Sequence, residues 1–234
     1  QFGSWEYVAV MNQEKGTEII VDWEDQTSVR MSAAQLYELV FDGNNKWMLS
    51  ANGTLFTYDY EAIIPGLLKR WYEERQEMQR KMRECGDNEI EREYWDKRQL
   101  VKKINLNSLY GAILNPGCRF FDMRIGQSVT LTGRCITQHM ASKVNEVVTG
   151  EYDHKGESIV YGDTDSVYFS AFKTLQKEIK EGVIPWTKDS VVALYDKIAD
   201  EVNGSFKSFM TKAFHTPSTR GEVIAAGREL VASK

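Results

Sequence analysis

Hydrophobic positions near the N-terminus fall into short β-branched and aromatic runs, whereas from Pro65 onward they recur with a helical period. Residues 5–11 (WEYVAVM) and 17–23 (TEIIVDW), separated by the turn-like NQEKG, predict two strands. Ser32-Ala33-Ala34-Gln35 has the form of a capping box and opens a short helix through Phe41. The runs WML and TLFTY flank Ala51-Asn52-Gly53, a hairpin signal. Two long helices follow over about 65–84 and 89–114, with Pro65 in the first turn and Gly86 and Asn88 punctuating the break. So short a break implies an antiparallel helical hairpin. Asn115-Pro116-Gly117 ends the second helix, and another is expected over about 126–148. SIVYGDTDSVYF (158–169) then reads as strand, tight turn and returning strand. Amphipathic segments over about 172–182 and 188–212 and a strand in GEVIAA (221–226) complete an α+β pattern with a helical projection.

Composition narrows the classes. A chain of 234 residues with 42% apolar and 27% charged residues fits one large or two modest soluble domains. No apolar run reaches the length of a membrane span, which excludes a membrane-embedded reading. Cys85, Cys118 and Cys135 are too few and too scattered for a disulfide framework or a zinc site and suit a reducing cytoplasm. His139, His154 and His215 are equally scattered, and packing or exposure explains each better than metal ligation. The net charge of −5 argues against a polyanionic partner, but residues 69–124 carry 13 basic against 10 acidic side chains. A basic zone on an acidic body is compatible with nucleic-acid contact and equally with a solvated pair of charged helices. The start at Gln1 and the end in GRELVASK lead us to expect part of a longer chain.

Two constellations carry chemistry. Asp163 and Asp165 stand two apart, so on extended backbone both carboxylates face one side. Paired carboxylates repel unless a cation lies between them, and hard divalent ions such as Mg²⁺ suit them. The chemistry in view is two-metal phosphoryl or nucleotidyl transfer. Taken alone, Asp-Thr-Asp-Ser reads first as a solvated turn. A calcium loop is excluded, because Tyr168 and Thr174 stand where its Gly and Glu belong.

The second constellation lies on the second long helix. Lys103, Asn107, Tyr110 and Gly111 share a face that offers a cation for a triphosphate, an amide, a ring for a base or sugar, and bare backbone for close approach. On the preceding helix Arg75 reaches across towards Lys103, and Arg70, Arg80 and Lys81 add positive charge.

Lys103-x-x-x-Asn107-Ser108-x-Tyr110-Gly111 followed by Tyr161-Gly162-Asp163-Thr164-Asp165-Ser166 resembles motifs B and C of the family B DNA polymerases. Ala51-Asn52-Gly53 leading to Ile63-Ile64-Pro65, Arg119-Phe120-Phe121-Asp122-Met123-Arg124, Lys143-Val144-Asn145-Glu146 and Arg220-Gly221-Glu222-Val223-Ile224-Ala225 resemble the replicative polymerases of large tailed phages. The resemblance implies a palm-associated β-rich segment (1–62), a fingers helical hairpin (63–115) and a palm (116–234) whose antiparallel sheet includes the acidic hairpin. It implies that Asp165 binds both catalytic Mg²⁺ ions with Asp163 contributing, and that Glu222 is a palm carboxylate near the metals. Lys103 and Asn107 would hold the incoming triphosphate, Tyr110 and Gly111 would pack on the nascent base pair, and Arg75 would grip the phosphates. Gln79 stands where the phage enzymes carry a second phosphate-seeking lysine, with Arg80 beside it.

The implied activity is DNA-directed, Mg²⁺-dependent transfer of a nucleotide from dNTP to a primer 3′-hydroxyl. Partners are primer–template DNA and dNTP, with a sliding clamp engaged through parts beyond Lys234, and the setting is the cytoplasm of a host cell. No Asp-x-x-Ser-Leu-Tyr-Pro-Ser motif occurs in the chain, so one metal-bridging aspartate is lacking and the segment alone is expected to be inactive. Two alternatives remain open: a subunit of a split polymerase, and a non-catalytic nucleic-acid-binding module. The intact acidic pair counts against the latter.

Overall fold

The computed structural model describes residues 14–23, 25–42 and 46–232. The strand expected over 5–11 lies outside the described residues. The chain divides into two units, Gln1–Phe56 with Ser128–Lys234, and Thr57–Gln127.

In the first unit, β1 (Glu18–Asp22) and β2 (Ser28–Ser32) pair antiparallel with Ile20 opposite Arg30. Ile19 and Val21 alternate inward against Leu36, Val40 and Leu49. The expected capping box forms: Ser32 Oγ accepts from the Gln35 amide at 3.2 Å, and the Gln35 side chain accepts from the Ser32 amide at 2.8 Å. It opens α1 (Ala33–Tyr37), which continues as a π-helical turn over Glu38–Asp42. Strands β3 (Trp47–Leu49) and β4 (Leu55–Thr57) form the hairpin read at Ala51-Asn52-Gly53, where Gly53 takes φ +86°.

The second unit is built on the expected helical hairpin, α2 (Ile63–Glu84) and α3 (Glu89–Ile113). Gly86 turns the chain at φ +54°, and Asn88 caps α3 by accepting from the Glu91 amide at 3.2 Å. No residue of α2 is buried and only Ile113 of α3 is, so cross-helix contacts rather than a core hold the pair. Lys102 pairs with Glu74 and lies 5.8 Å over Trp71, while Lys81 sits 4.6 Å over Trp95. Gly126 is required where α3 gives way to the next helix: a Cβ there would stand 1.9 Å from Leu114 Cδ2.

That next helix, α4 (Met123–Thr149), runs into the first unit. It precedes the hairpin β5 (Ile159–Asp163) and β6 (Ser166–Phe169), a short α5 (Gln176–Lys180), α6 (Lys188–Phe214) and a single turn α7 (Ser218–Gly221). Helix α6 buries Ile198, Val202, Phe206, Phe209 and Ala213, an i, i+4, i+8 stripe that meets Val144 of α4. Ile159 and Phe169 pack on this core from the hairpin. Fully burying side chains such as Phe206 and Val202 stabilises by about 1.5–3 kcal/mol each.

The α+β class is as expected, its strands forming three separate two-stranded ladders among the described residues. One expectation needs correction. GEVIAA is not a strand: its first residue closes α7, and Ala226 bonds to a side chain in place of a neighbouring strand. Asn203 supplies both partners, accepting from the Ala226 amide at 2.7 Å and donating to its carbonyl at 2.9 Å. A side-chain amide thus satisfies the backbone groups that a ladder would otherwise occupy.

His139 is buried in packing, as expected. Its ring stacks on Phe209 at 4.0 Å, with Nδ1 2.7 Å from Tyr152 Oη and Nε2 2.9 Å from Ser205 Oγ. Desolvation, reinforced by Lys143, lowers its pKa to about 4. The unfolded imidazole protonates near 6.5 and the folded one only near 4, so this stabilisation is complete above pH 6.5 and is lost on acidification towards pH 4. Denaturant unfolding at pH 7 and pH 4.5 is expected to show His139→Gln losing roughly 2 kcal/mol less than the unaltered chain on acidification. Equal losses would remove His139 as the cause.

Candidate functional site

The hairpin tip belongs to the first unit. Asp163 is the last residue of β5, paired with Ser166, and Thr164-Asp165 form the two-residue loop. Thr164 carries φ +42°, the positive φ that a tight hairpin loop needs at its first position. Asp163 and Asp165 therefore do not share one side of a continuous strand, because the backbone reverses between them. Both acids are exposed all the same. Thr164 Oγ1 donates to Asp163 Oδ1 at 3.0 Å and Ser166 Oγ to Asp165 Oδ1 at 3.4 Å. Upstream, a bulge at Val160 puts Tyr161 opposite Tyr168, their rings 5.9 Å apart, while Ile159 stays opposite Phe169 in the core. A cleft of about 710 Å³ runs beside the hairpin, with Asp165, Thr137, Val144, Val202 and Ile224 in its wall.

Magnesium takes hard oxygen ligands and fills the rest of its shell with water or phosphate oxygens, so two exposed carboxylates on one turn suit it. Among the described residues no three of His, Cys, Asp and Glu gather to hold a metal ion. Glu222 does not join the two aspartates; it follows α7 and pairs with Lys207 Nζ at 2.5 Å.

The second unit carries the helical row. Lys103, Asn107 and Gly111 lie exposed along α3 at i+4 spacing. A Cβ at Gly111 would meet nothing within 4 Å, so packing within this chain does not demand glycine there. Tyr110 flanks the row half-buried, its hydroxyl donating to the Gly126 carbonyl at 3.4 Å. Arg75 does cross the helical hairpin, but to Gln99 Oε1 at 3.1 Å. Gln99 precedes Lys103 by four and so heads the same row, a member that the spacing alone would have revealed.

Gln79 is half-buried on α2. The remaining cations are less free than the sequence indicated. Arg80 bonds Glu77 at 2.6 Å and Glu84 at 2.6 Å, and these carboxylates raise its pKa further. Lys81 stands 3.7 Å from Glu77 and Arg70 3.9 Å from Glu74. Lys103 makes no ion pair among the described residues. Thr137, on α4, was missed by sequence reasoning; its partner lies 27 residues away and no local pattern announces it.

The family model of DNA polymerase family B matches residues 20–210. The chain belongs to DNA polymerase family B. A DNA polymerase of Pyrococcus glycovorans is 32% identical over 180 residues, covering 75% of this chain and 22% of that protein. The DNA-directed DNA polymerase of Escherichia phage RB69 is 41% identical over 80 residues, covering 34% of this chain and 9% of that one. A solved family B DNA polymerase from Pyrobaculum calidifontis aligns with 59% of this chain and 18% of its own at 25% identity, with a TM-score of 0.43. The chain thus spans about a fifth of the length of the Pyrococcus polymerases that it matches, 22% of each. No helix among the described residues is long and apolar enough to cross a membrane.

Proposed function

We propose that this segment carries the fingers and part of the palm of a DNA-directed DNA polymerase, in which the primer 3′-hydroxyl attacks the α-phosphate of a dNTP and pyrophosphate leaves. The observation that carries the reading is the exposed Lys103–Asn107–Gly111 row, with Arg75 tethered to its head. Lys103 supplies a point charge to the triphosphate and Arg75 a planar fork. Asn107 adds an amide, and Tyr110 with Gly111 gives the base pair a flat, unobstructed bed. Asp165, with Asp163 beside it, would hold Mg²⁺, which when bound stabilises charge on the reacting phosphate. Glu222 contributes there only on release from Lys207. Gln79 leaves Lys103 and Arg75 as the main phosphate contacts, since Arg80 is committed to Glu77 and Glu84. With one carboxylate turn, no third acid gathered beside it among the described residues, and no Asp-x-x-Ser-Leu-Tyr-Pro-Ser motif, the 234-residue chain does not extend a primer by itself.

Gly111→Ala separates folding from function. Alanine in a helix interior is favoured over glycine by about 0.5–1 kcal/mol, and nothing within 4 Å opposes the added methyl. Thermal unfolding of the chain is expected to rise slightly. In the polymerase chain that carries this segment, the same change is expected to reduce correct-nucleotide incorporation by about tenfold or more, as a methyl between helix and base pair displaces the reacting groups. Unchanged incorporation would refute the assignment of this row.

A further inference from the structure

We propose that Thr137 is a positioning residue for the acidic turn: its hydroxyl, on α4, clamps the Thr164 carbonyl and so sets where Asp163 and Asp165 stand. The inference rests on the reading of those two carboxylates as ligands of a divalent ion.

Thr164 is a β-branched residue at φ +42°, a conformation that costs about 1–3 kcal/mol and persists only where surroundings hold it. Its own hydroxyl is spent on Asp163 Oδ1 at 3.0 Å. Its carbonyl accepts from Thr137 Oγ1 at 2.7 Å. That carbonyl belongs to the planar peptide from which Asp165 departs, so fixing its direction fixes the base of the Asp165 side chain. Thr137 Oγ1 also lies 3.2 Å from the Gly133 carbonyl of its own helix, but a hydroxyl has one proton and the shorter contact takes it.

The anchor is packed where the turn is exposed. Ile136 and Met140 flank Thr137 on α4 and pack against the core of Val144, Val202 and Phe206. Asp163, Thr164 and Asp165 are all exposed. Among the described residues no other side chain from outside the hairpin hydrogen-bonds to these three. A single bond therefore couples a packed helix to a strained loop. Ion-binding groups need placement to about 0.5 Å, which an untethered two-residue loop does not provide.

The test compares the 234-residue chain with Thr137→Val, which keeps the shape and removes the donor, and Thr137→Ser, which keeps the donor. Amide hydrogen exchange at Ser166, which closes the turn opposite Asp163, followed by NMR, reports the tether. Line broadening by added Mn²⁺, standing in for Mg²⁺, reports the carboxylates. In Thr137→Val we expect exchange at the turn to rise roughly five- to tenfold and the Mn²⁺ needed for half-broadening at Asp165 to rise by a similar factor. Amides of the β1–β2 hairpin should not change, and Thr137→Ser should match the unaltered chain on both readouts. Equal turn exchange in all three chains would overturn the clamp, as would Thr137→Ser behaving like Thr137→Val. Faster exchange with unchanged Mn²⁺ response would overturn the positioning role. No Mn²⁺ broadening at the turn of the unaltered chain, with slow exchange intact, would instead defeat the metal-ligand reading on which the role rests.

Discussion

Asp165→Asn, placed in the polymerase chain that carries this segment, is expected to lower nucleotide incorporation at least a thousandfold, a loss of roughly 4 kcal/mol in transition-state stabilisation. The longer chain is needed because the 234-residue segment is proposed to be inactive alone. An amide keeps the size of the carboxylate but not its charge, and a divalent ion binding there loses a formal ligand charge. The fold should not notice: Asp165 is exposed, its carboxylate accepts from the Ser166 hydroxyl at 3.4 Å, and surface changes of this kind usually stay within about 0.5 kcal/mol. Single-turnover incorporation and a DNA-binding titration, run side by side, check both halves. Turnover at the unaltered rate would refute the metal-ligand role; loss of DNA binding with it would reduce the effect to a structural one.

Asn145→Ala is expected to be the most damaging of these substitutions to the fold. Asn145 is fully buried on α4, and its amide does the work of a short stretch of backbone. Oδ1 accepts from the Ser158 amide at 3.2 Å and from Ser158 Oγ at 2.7 Å, while Nδ2 donates to the Glu151 carbonyl at 2.8 Å. These bonds close the loop from α4 into β5, so they set where the acidic hairpin begins. Gly156 faces the same side chain so closely that a Cβ would stand 2.0 Å from Nδ2. Truncation leaves buried groups unpaired, at about 1–3 kcal/mol for each group that water cannot reach. We expect a total near 3 kcal/mol, or roughly 6–12 °C in thermal midpoint for a chain of this size. A midpoint within about 2 °C of the unaltered chain would show that water replaces the amide without penalty.

Both predictions fall on the parts of the molecule that were legible in different degrees. The helical hairpin was read nearly to its ends because its signals are local: Pro65 in the first turn, Gly86 and Asn88 at the break, and Asn115-Pro116-Gly117 after the last turn. Asp163 and Asp165 were found because a two-residue loop between aromatic and β-branched runs is also a local signature. The row Lys103–Asn107–Gly111 follows from helical spacing, and the same spacing extends it one turn back to Gln99.

Two features depart from the reading of the sequence, one through near neighbours on a helix and one through a partner distant in sequence. Arg70, Arg80 and Lys81 looked available, but Glu74, Glu77 and Glu84 stand three or four residues away on the same helix and engage them. GEVIAA has strand composition, yet Asn203 satisfies its backbone and leaves no ladder to join.

By itself, then, the sequence determined the helical hairpin, the turn that presents the acids and the helix face that presents Lys103, because periodicity and turn chemistry act between near neighbours. Tertiary structure alone decided that the Asp163–Asp165 turn hangs from Thr137, that Asn145 seals the entry to its hairpin, and that Glu222 is held by Lys207. Those contacts join residues between 13 and 27 positions apart, and a hydrogen bond across that distance leaves no periodic trace in the chain that forms it.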